Sequence, residues 1–403
     1  MQQRVELRGM AWNHPRALDP LAAISAAWSL ERDQVVHWDA RPLKDFEDQP
    51  LEELAAYYDL LLIDYPFVGV AATSGLIAAV DDWVPAAYLA DQARHAVGPS
   101  FESYGWGGKQ WALAIDAACQ VAAVRDDLLA SAASSPTPDS WHEVAALARA
   151  VRHSSSRVAL PLNPNHAYCA FLSVAASEAG AQFWQPGEPI DALAARASLE
   201  FLRALAPDLH PSSRSDDPIG VSERMSRSDE IVYVPLMFGY SSYARAGFRR
   251  HRLRFADAPH GSSPHRGSVL GGVGLALSTS GSGRDGAADL ARRIGAPETQ
   301  CGLYAAAGGQ PGHGAAWASS AVNAQTAGFF AATRATIEHA FMRPRVPGHR
   351  RFQPLAGEIV HRCIWDAAAT IDATLAEFNR LAGELLADWR RGTPAADNHG
   401  VAR

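Results

Sequence analysis

Apolar runs and amphipathic stretches alternate along the first 64 residues of the chain. Short apolar runs predict strands, and stretches in which apolar residues recur every three or four positions predict helices. Asp19 and Pro20 supply a start signal for the first helix. The predicted strands cover residues 5–12, 34–39 and 58–64, and the predicted helices cover residues 21–30 and 50–57. This alternation is typical of a parallel sheet with helices on both faces.

Binding loops are expected at one edge of this sheet. In sheets of this kind, ligands bind beyond the carboxyl ends of the strands. Residues 12–16 follow the first predicted strand, and residues 64–67 follow the third. Both segments are therefore candidate binding loops.

The longest apolar run follows a glycine turn at Gly107 and Gly108 and extends from residue 111 to residue 124. It is apolar on both faces, whereas a half-buried strand alternates apolar and polar positions. A strand of this kind can leave one compact lobe and enter a second, so we predict that it serves as a hinge. Residues 271–278 are predicted to return beside it. A cleft between the two lobes is then the expected place of function.

The rest of the chain is predicted to be largely helical, with few strands. Residues 158–161 and 230–236 read as strands, residues 214–227 are polar and poorly periodic, and residues 260–267 read as a linker. The predicted helices cover residues 141–151, 167–179, 191–206 and 285–294, with further helices between residues 315 and 390 and a frayed tail at residues 391–403.

Length and composition restrict the class of protein. A chain of 403 residues exceeds what one hydrophobic core usually organises, so two lobes are expected. The net charge of −7 does not indicate the basic surface that nucleic-acid binding requires. No apolar stretch is long enough to span a membrane. The first ten residues lack the apolar core of a leader peptide. The sequence as written thus predicts a cytoplasmic location, or a periplasmic one if a leader was trimmed.

Chemical motifs are weak throughout. The four cysteines, Cys119, Cys169, Cys301 and Cys363, are far apart and lack metal-ligand spacing, so buried free thiols are favoured, although one or two disulfides stay possible. Residues 281–286 fit the pattern G-x-G-x-x-G, but no suitable strand or acidic residue follows them. Residues 239–243 lack the second glycine of a nucleophile elbow. No cofactor and no metal are predicted, and catalysis is the least favoured function.

The order of several segments resembles a known family, the extracellular solute-binding proteins of carbohydrate-type ABC importers, which include maltose- and glycerol-phosphate-binding receptors. No single segment decides the resemblance, which rests on their order and spacing over nearly the whole chain. The segments are Gly107-Gly108-Lys109-Gln110-Trp111 with the following apolar run, Arg125-Asp126-Asp127-Leu128-Leu129, Pro138-Asp139-Ser140-Trp141, Phe238-Gly239-Tyr240-Ser241-Ser242-Tyr243, residues 270–278, and Gly308-Gly309-Gln310-Pro311-Gly312.

The resemblance implies an α/β fold, a two-lobed periplasmic-binding-protein-like clamshell of type II, with a mostly parallel sheet flanked by helices in each lobe and a ligand cleft between them. The first lobe would comprise residues 1–115 plus 268–312, and the second residues 119–262 plus 316–403. Hinges are expected near residues 114–120 and 262–272. Hinge closure would capture a small polar molecule for delivery to an ABC permease.

Aromatic and polar residues near the expected cleft are the candidate ligand contacts, because sugars need flat apolar surface and fixed hydrogen-bonding groups. Asn13, Asp64, Tyr65, Tyr240, Gly309 and Gln310 match the family's usual contact positions. The complete candidate set is Trp12, Asn13, His14, Arg16, Asp64, Tyr65, Phe67, Asp116, Gln120, Tyr240, Ser241, Gly309 and Gln310.

Three alternatives stay open at this point. Arg16, Arg245 and Arg343 could bind a carboxylate or a phosphate, so a carboxylated metabolite is the second choice after a neutral sugar. The absence of a visible leader would also fit a cytoplasmic binding or sensor module. An enzyme that uses the cleft for catalysis is a third possibility, since a fold alone does not exclude activity.

Overall fold

The computed structural model describes residues 5–41, 51–132, 136–180, 182–184, 188–263, 266–281 and 283–392. Positions 264 and 265 of the predicted linker, position 282 of the glycine-rich motif, and most of the predicted tail lie outside the described residues. The strands are β1 (Val5–Trp12), β2 (Gln34–Arg41), β3 (Leu60–Asp64), β4 (Ile77–Ala78), β5 (Gly105–Trp106), β6 (Lys109–Gln110), β7 (Leu113–Val124), β8 (Arg157–Val158), β9 (Ile231–Phe238), β10 (Arg254–Ala256) and β11 (Leu270–Ser278).

Helices surround these strands along the whole chain. Those of the first 230 residues are α1 (Pro15–Glu31), α2 (Leu51–Tyr57), α3 (Val68–Ser74), α4 (Ala86–His95), α5 (Asp126–Ala132), α6 (Trp141–Val151), α7 (Pro164–Ala179), α8 (Ala192–Leu205) and α9 (Pro218–Arg227). The later ones are α10 (Arg284–Gly295), α11 (Pro297–Thr299), α12 (Gly314–Ala318), α13 (Ser320–Gln325), α14 (Phe329–Ala332), α15 (Arg334–Glu338), α16 (His349–Trp365) and α17 (Ile371–Gly392).

Two helix predictions were wrong. Helix α1 begins at Pro15 and not at residue 21, because the His14 side chain caps it by accepting a hydrogen bond from the Arg16 backbone N–H, 3.0 Å away. Pro20 therefore lies inside the helix and does not start it. The stretch 214–227, read as irregular, contains α9. Its buried face includes Ser222 and Ser226 beside Val221 and Met225, so few large apolar side chains mark that face in the sequence.

Strand β7 belongs to both halves of the molecule. Its first part, up to Cys119, pairs antiparallel with β11, which returns beside it as predicted, and its last part pairs antiparallel with β9 and β10. On the β11 side the order continues to β3, β1 and β2, with β1 parallel to both of its neighbours. Beyond β9 lies β8, in parallel. All twelve residues of β7 are buried, which explains why both of its faces are apolar.

The hydrophobic core has one cluster in each half and a third that includes residues of both. One cluster of buried side chains fills the space between the first sheet and its helices, with Trp28 and Leu60 at its centre. Another lies among α7, α8, α16 and α17 and includes Phe171, Trp184 and Phe378. Among the described residues, no helix combines the length and hydropathy needed to cross a membrane. All four cysteines are free thiols, and Cys301 is the one that is only partly buried.

Gly272 occupies a backbone conformation that side chains avoid. Its φ is +112°, and a Cβ at this position would lie 2.4 Å from the Asp116 carbonyl oxygen of β7. The pairing of β11 with β7 shifts register immediately afterwards, between Val273 and Gly274. Glycine is therefore required where the two strands cross from one half of the molecule to the other.

We expect Gly272→Ala to lower the free energy of unfolding more than Gly108→Ala does. Both positions have positive φ, so each substitution adds backbone strain of about 1–3 kcal/mol. Only Gly272 would also overlap a neighbouring backbone, because a Cβ at Gly108 meets nothing within 4 Å. Urea unfolding of the two variants measures the difference, and equal losses would contradict this reading of the β7–β11 crossing.

Candidate functional site

A cleft of about 710 Å³, counting space open to solvent, lies where the two halves of the molecule meet beside β7. Side chains from β1, α1, β3, β7, α7, α9, β9 and β11 and from the segment before α16 reach it. The lining residues are Trp12, Arg16, Asp64, Asp116, Ala118, Asn165, His166, Pro218, Ile219, Phe238, Tyr240, Gly271, Gly272, Val273 and Arg343.

The structure brings five of the thirteen candidate residues to the wall of this cleft. They are Trp12, Arg16, Asp64, Asp116 and Tyr240. Trp12 and Asp64 are the last residues of β1 and β3, so they lie at the carboxyl ends of parallel strands, where the sheet topology places ligands.

Arg16 and Asp116 form a buried, bidentate ion pair in the wall of the cleft. The Arg16 Nε and Nη2 groups donate to the two Asp116 carboxylate oxygens over 2.8 and 2.5 Å. Nη1 of Arg16 donates to the Gly239 carbonyl oxygen, 3.0 Å away, beyond the end of β9. Burial raises the pKa of the Asp116 carboxyl, and the nearby Arg16 opposes this shift. The pair connects α1 to both β7 and the end of β9.

Tyr240 presents an aromatic surface beside this ion pair. The Arg16 guanidinium carbon lies 4.7 Å from the centre of the Tyr240 ring, a cation–π distance. The His14 ring meets the same tyrosine edge-on, with centroids 4.8 Å apart. His14 is therefore not among the residues that line the cleft. Its ring packs against Tyr240, and its side chain caps α1.

Asp64 is the carboxylate with unused hydrogen-bonding capacity in the cleft. Its Oδ1 atom makes no hydrogen bond to any described residue, and its Oδ2 atom lies 3.7 Å from Nη2 of Arg343. Burial raises the pKa of Asp64, while the charge of Arg343 opposes this shift. A buried carboxylate oxygen without a hydrogen-bond partner is unfavourable in the empty protein, so Oδ1 of Asp64 is suited to accept from a ligand donor.

Arg343 is held in place from behind. Its backbone N–H and its Nε group both donate to the Tyr65 hydroxyl, over 3.0 and 3.1 Å, and Nη1 donates to Gln353. Gln353 in turn donates to the Asn165 side chain, 2.6 Å away. Tyr65 is thus fully buried and positions Arg343, although the sequence suggested that Tyr65 would contact the ligand.

The N-terminus of α7 contributes a residue that sequence reasoning missed. His166 lines the cleft, is 7% exposed, and its Nδ1 atom has no hydrogen-bond partner among the described residues. Burial, reinforced by Arg343, lowers the pKa of His166 to about 3, so the ring is neutral at ordinary pH. Asn163 caps the helix, and Pro164 occupies its first turn. The sequence reading recognised this helix start but gave it no role in binding.

The other candidate residues do not line the cleft. Asn13 is exposed and donates its backbone N–H to Arg41. Phe67 faces a separate, largely apolar cavity of about 460 Å³. Gln120 and Ser241 are fully buried, and Gln120 accepts a hydrogen bond from Ser173. Gly309 is buried against the Tyr304 ring.

Gln310 is a fully buried connector. Its Nε2 group donates to the carbonyl oxygens of Ala117 and Gly239, and its Oε1 atom accepts from the Ser241 backbone N–H. These bonds link the segment after Gly308 to β7 and to the end of β9. The same glycine-rich segment that suggested a ligand contact thus fixes the backbone beneath the cleft.

Several lining residues carried no recognisable signal in the sequence. Ala118 and the backbone of Gly271 reach the cleft only through the topology of β7 and β11. Nothing in the sequence distinguishes Arg343 from Arg245, whose guanidinium donates to the Ala305 carbonyl oxygen instead. The missed residues at the starts of α7 and α9 do follow recognisable helix-start signals, Asn163-Pro164 and Asp217-Pro218.

We expect Asp116→Asn to destabilise the protein by about 3–5 kcal/mol, because it leaves the buried Arg16 without its counterion. The matched control is Asp126→Asn, which removes an ion pair with Arg254 whose side chains are 37% and 59% exposed. This exposed pair contributes about 1 kcal/mol or less. Urea unfolding at neutral pH compares the two variants, and similar losses would show that the Arg16–Asp116 pair does not stabilise the fold.

We also expect His14 to make stability depend on pH. Burial, followed by the charges of Arg16 and Arg249, lowers the pKa of His14 to about 4, against the opposing charge of Glu223. Between pH 6.5 and about 4 the unfolded chain therefore binds a proton at this position that the folded chain does not, and stability falls as the pH falls. In urea unfolding, His14→Gln should reduce this fall relative to the wild type. The exposed control His37→Gln should leave it unchanged, and an unchanged slope in both variants would contradict the assignment.

Comparisons with known proteins agree on the fold. A scan against protein-family models found no match, and neither did a search of curated proteins. Among solved structures, the chain is similar to maltose-bound MalE3 of T. maritima, with a TM-score of 0.80, 17% identity, and coverage of 94% of this chain and 99% of that one. It is also similar to an ABC transporter solute-binding protein of Agrobacterium radiobacter K84 in complex with ribitol, with a TM-score of 0.78, 19% identity, and coverage of 94% and 98%.

A third similar structure is the GacH receptor of Streptomyces glaucescens, with a TM-score of 0.79, 15% identity, and coverage of 96% of this chain and 100% of that one. Identities this low show the fold, and they show it over nearly the entire chain. The two-lobed α/β fold predicted from the sequence is therefore confirmed: this chain has the fold of these three structures.

Proposed function

We propose that this protein is a solute-binding protein that captures a neutral sugar or polyol in the cleft and delivers it to an ABC transporter. The observation that carries the proposal is the pair of hydrogen-bonding groups formed by Asp64 and Arg343 in the wall of the cleft. Asp64 offers an unused acceptor, and Arg343 lies next to it, held by Tyr65 and Gln353. A hydroxyl group can donate to one and accept from the other.

The balance of charge in the cleft favours a ligand without net charge. Two arginines and two aspartates line it, and Arg16 is already paired with Asp116. A carboxylate ligand would have to approach Arg343 beside Asp64, whose like charge would repel it. This supports a neutral sugar or polyol over the carboxylated metabolite.

Aromatic surface supports the same ligand class. Trp12, Phe238 and Tyr240 line the cleft together with the His166 ring. Sugars combine an apolar face of C–H groups with a rim of hydroxyls, so aromatic rings beside charged hydrogen-bonding groups match both parts. Three of the similar structures carry maltose, ribitol or acarbose in their names, which agrees with this reading.

The position of the cleft supports capture by hinge closure. Its walls come from both ends of β7: Trp12 and Asp64 belong to strands on the β11 side, and Phe238 belongs to β9 on the other side. A ligand that contacts both walls would favour a closed arrangement, because it interacts with both only when they are close. Closure of this kind is the property that a transporter can recognise, and it requires no chemical step.

We expect a neutral sugar or polyol to stabilise the protein against thermal unfolding and to bind more weakly to Asp64→Asn. At a free ligand concentration of about 100 times Kd, the stabilisation should be about 2.7 kcal/mol. Asn keeps an acceptor oxygen but loses the charge that raises a hydrogen bond from about 1 to about 1.5–3 kcal/mol, so binding should weaken roughly several-fold to tenfold. Thermal melting across a panel that includes maltose, ribitol and sugar acids identifies the ligand, and calorimetry on the variant measures the loss.

The stability of the empty variant separates a binding role from a structural one. The ligand-free Asp64→Asn protein should lose less stability than ligand-free Asp116→Asn, because Asp64 lies 3.7 Å from Arg343 and Arg343 keeps its hydrogen bonds to Tyr65 and Gln353. Asp19→Asn, an exposed change in α1, should alter neither melting nor binding. Stabilisation by a carboxylate alone would favour the second ligand class, and a flat response to the whole panel would contradict a receptor for small polar solutes.

A further inference from the structure

A cluster of two histidines and one aspartate lies outside the cleft, on the first half of the molecule. Asp91 and His95 are four residues apart on α4, so both side chains lie on one face of the helix. His313 lies more than 200 residues later in the sequence. It follows Pro311, which forms an isolated bridge with Asp116 of β7, by two residues. The chain at Ala96 pairs with His313 in an isolated antiparallel bridge, which brings the three side chains together.

The three side chains converge on one point. Each offers a ligand atom, and these atoms all lie within 4.8 Å of one another. Nδ1 of His95 is 2.8 Å from one carboxylate oxygen of Asp91, and Nε2 of His313 is 3.6 Å from the other. In a tetrahedral zinc site with metal–ligand bonds of about 2.0–2.1 Å, the ligand atoms are roughly 3.4 Å apart. Small side-chain rotations would therefore suffice to coordinate an ion.

His313 is the residue that points to a ligand. It is only 4% exposed, and among the described residues its Nε2 atom has no hydrogen bond closer than the 3.6 Å contact with Asp91. Buried polar atoms normally have a partner, so this nitrogen faces the cluster with unused capacity. The side chains of Asp91 and His95, by contrast, are 38% and 46% exposed, which leaves a path for an ion and room for a water ligand.

We propose that Asp91, His95 and His313 bind a divalent transition-metal ion, with Zn²⁺ as the best match. Two imidazole nitrogens and one carboxylate suit zinc, whereas Mg²⁺ and Ca²⁺ prefer oxygen ligands. The ion would lie at the carboxyl end of α4, where the helix dipole favours a cation. The proposal does not rest on the function of the cleft.

Coordination changes one hydrogen bond. In the present arrangement Nδ1 of His313 accepts from the Ala315 backbone N–H over 3.3 Å, which places the ring proton on Nε2. Binding of a metal through Nε2 moves that proton to Nδ1 and gives up this long bond at the start of α12. The ion would in return fasten α4 to the segment that contains Gln310, three residues before His313, and so restrain the backbone beside β7.

The test uses untagged protein from which metal has been removed with EDTA. Calorimetry measures the binding of ZnCl₂, and thermal melting measures the change in Tm when ZnCl₂ alone is added. We expect one ion per chain, a rise in Tm, and no rise with MgCl₂. His95→Ala is the decisive variant, because its side chain is nearly half exposed and the fold does not depend on it. It should lose more than about tenfold in zinc affinity. Asp91→Asn should weaken binding as well.

The matched control is His37→Ala, which removes another exposed histidine of the same half of the molecule and should bind zinc like the wild type. Absence of saturable uptake, wild-type affinity in His95→Ala, or an equal loss in His37→Ala would each overturn the proposal. None of these results depends on whether the cleft binds a sugar, so failure of the metal site and failure of the receptor function are distinguishable.

Discussion

The fold depends on the continuous hydrogen bonding of one strand. Both edges of β7 are occupied along its length: β11 and the segment near Pro311 flank its first part, and β9 and β10 flank its last part. Its backbone groups are thus satisfied on both sides of the junction, and its side chains are buried on both faces. The cleft is formed at this junction because the walls on either side diverge from the same strand.

The charged groups of the cleft affect the stability of the ligand-free protein in opposite directions. The Arg16–Asp116 pair is fully engaged and connects elements from both sides of the junction. Asp64 is only partly engaged, and its carboxylate is unfavourable where it stands. A binding protein needs both kinds of group: some that maintain the shape of the site, and others whose interactions are completed by the solute.

The overall fold could be predicted from the sequence because its strands are strongly apolar and appear in a characteristic order. The long run that became β7 and its partner β11 were recognisable for that reason. Helix α9 was missed because serines occupy much of its buried face, and the start of α1 was misplaced because a histidine caps it and a proline lies within it.

The site was harder to predict because a side chain's role depends on its three-dimensional neighbours. Tyr65 and Gln310 do not line the cleft but hydrogen-bond to groups beside it. Tyr65 accepts from Arg343, and Gln310 donates to the Gly239 carbonyl oxygen next to Tyr240. No local pattern distinguishes such a supporting residue from a ligand contact. Residues at strand ends, such as Trp12 and Asp64, were placed correctly beside the cleft because parallel topology alone determines that edge.

The amide of Gln310 bonds to the backbone at Ala117 in β7 and at Gly239 and Ser241 just after β9, so its own segment, β7 and the end of β9 are joined at a single point. A relative movement of these three segments would have to break hydrogen bonds of the Gln310 amide, whereas a movement that carries all three together would leave them intact.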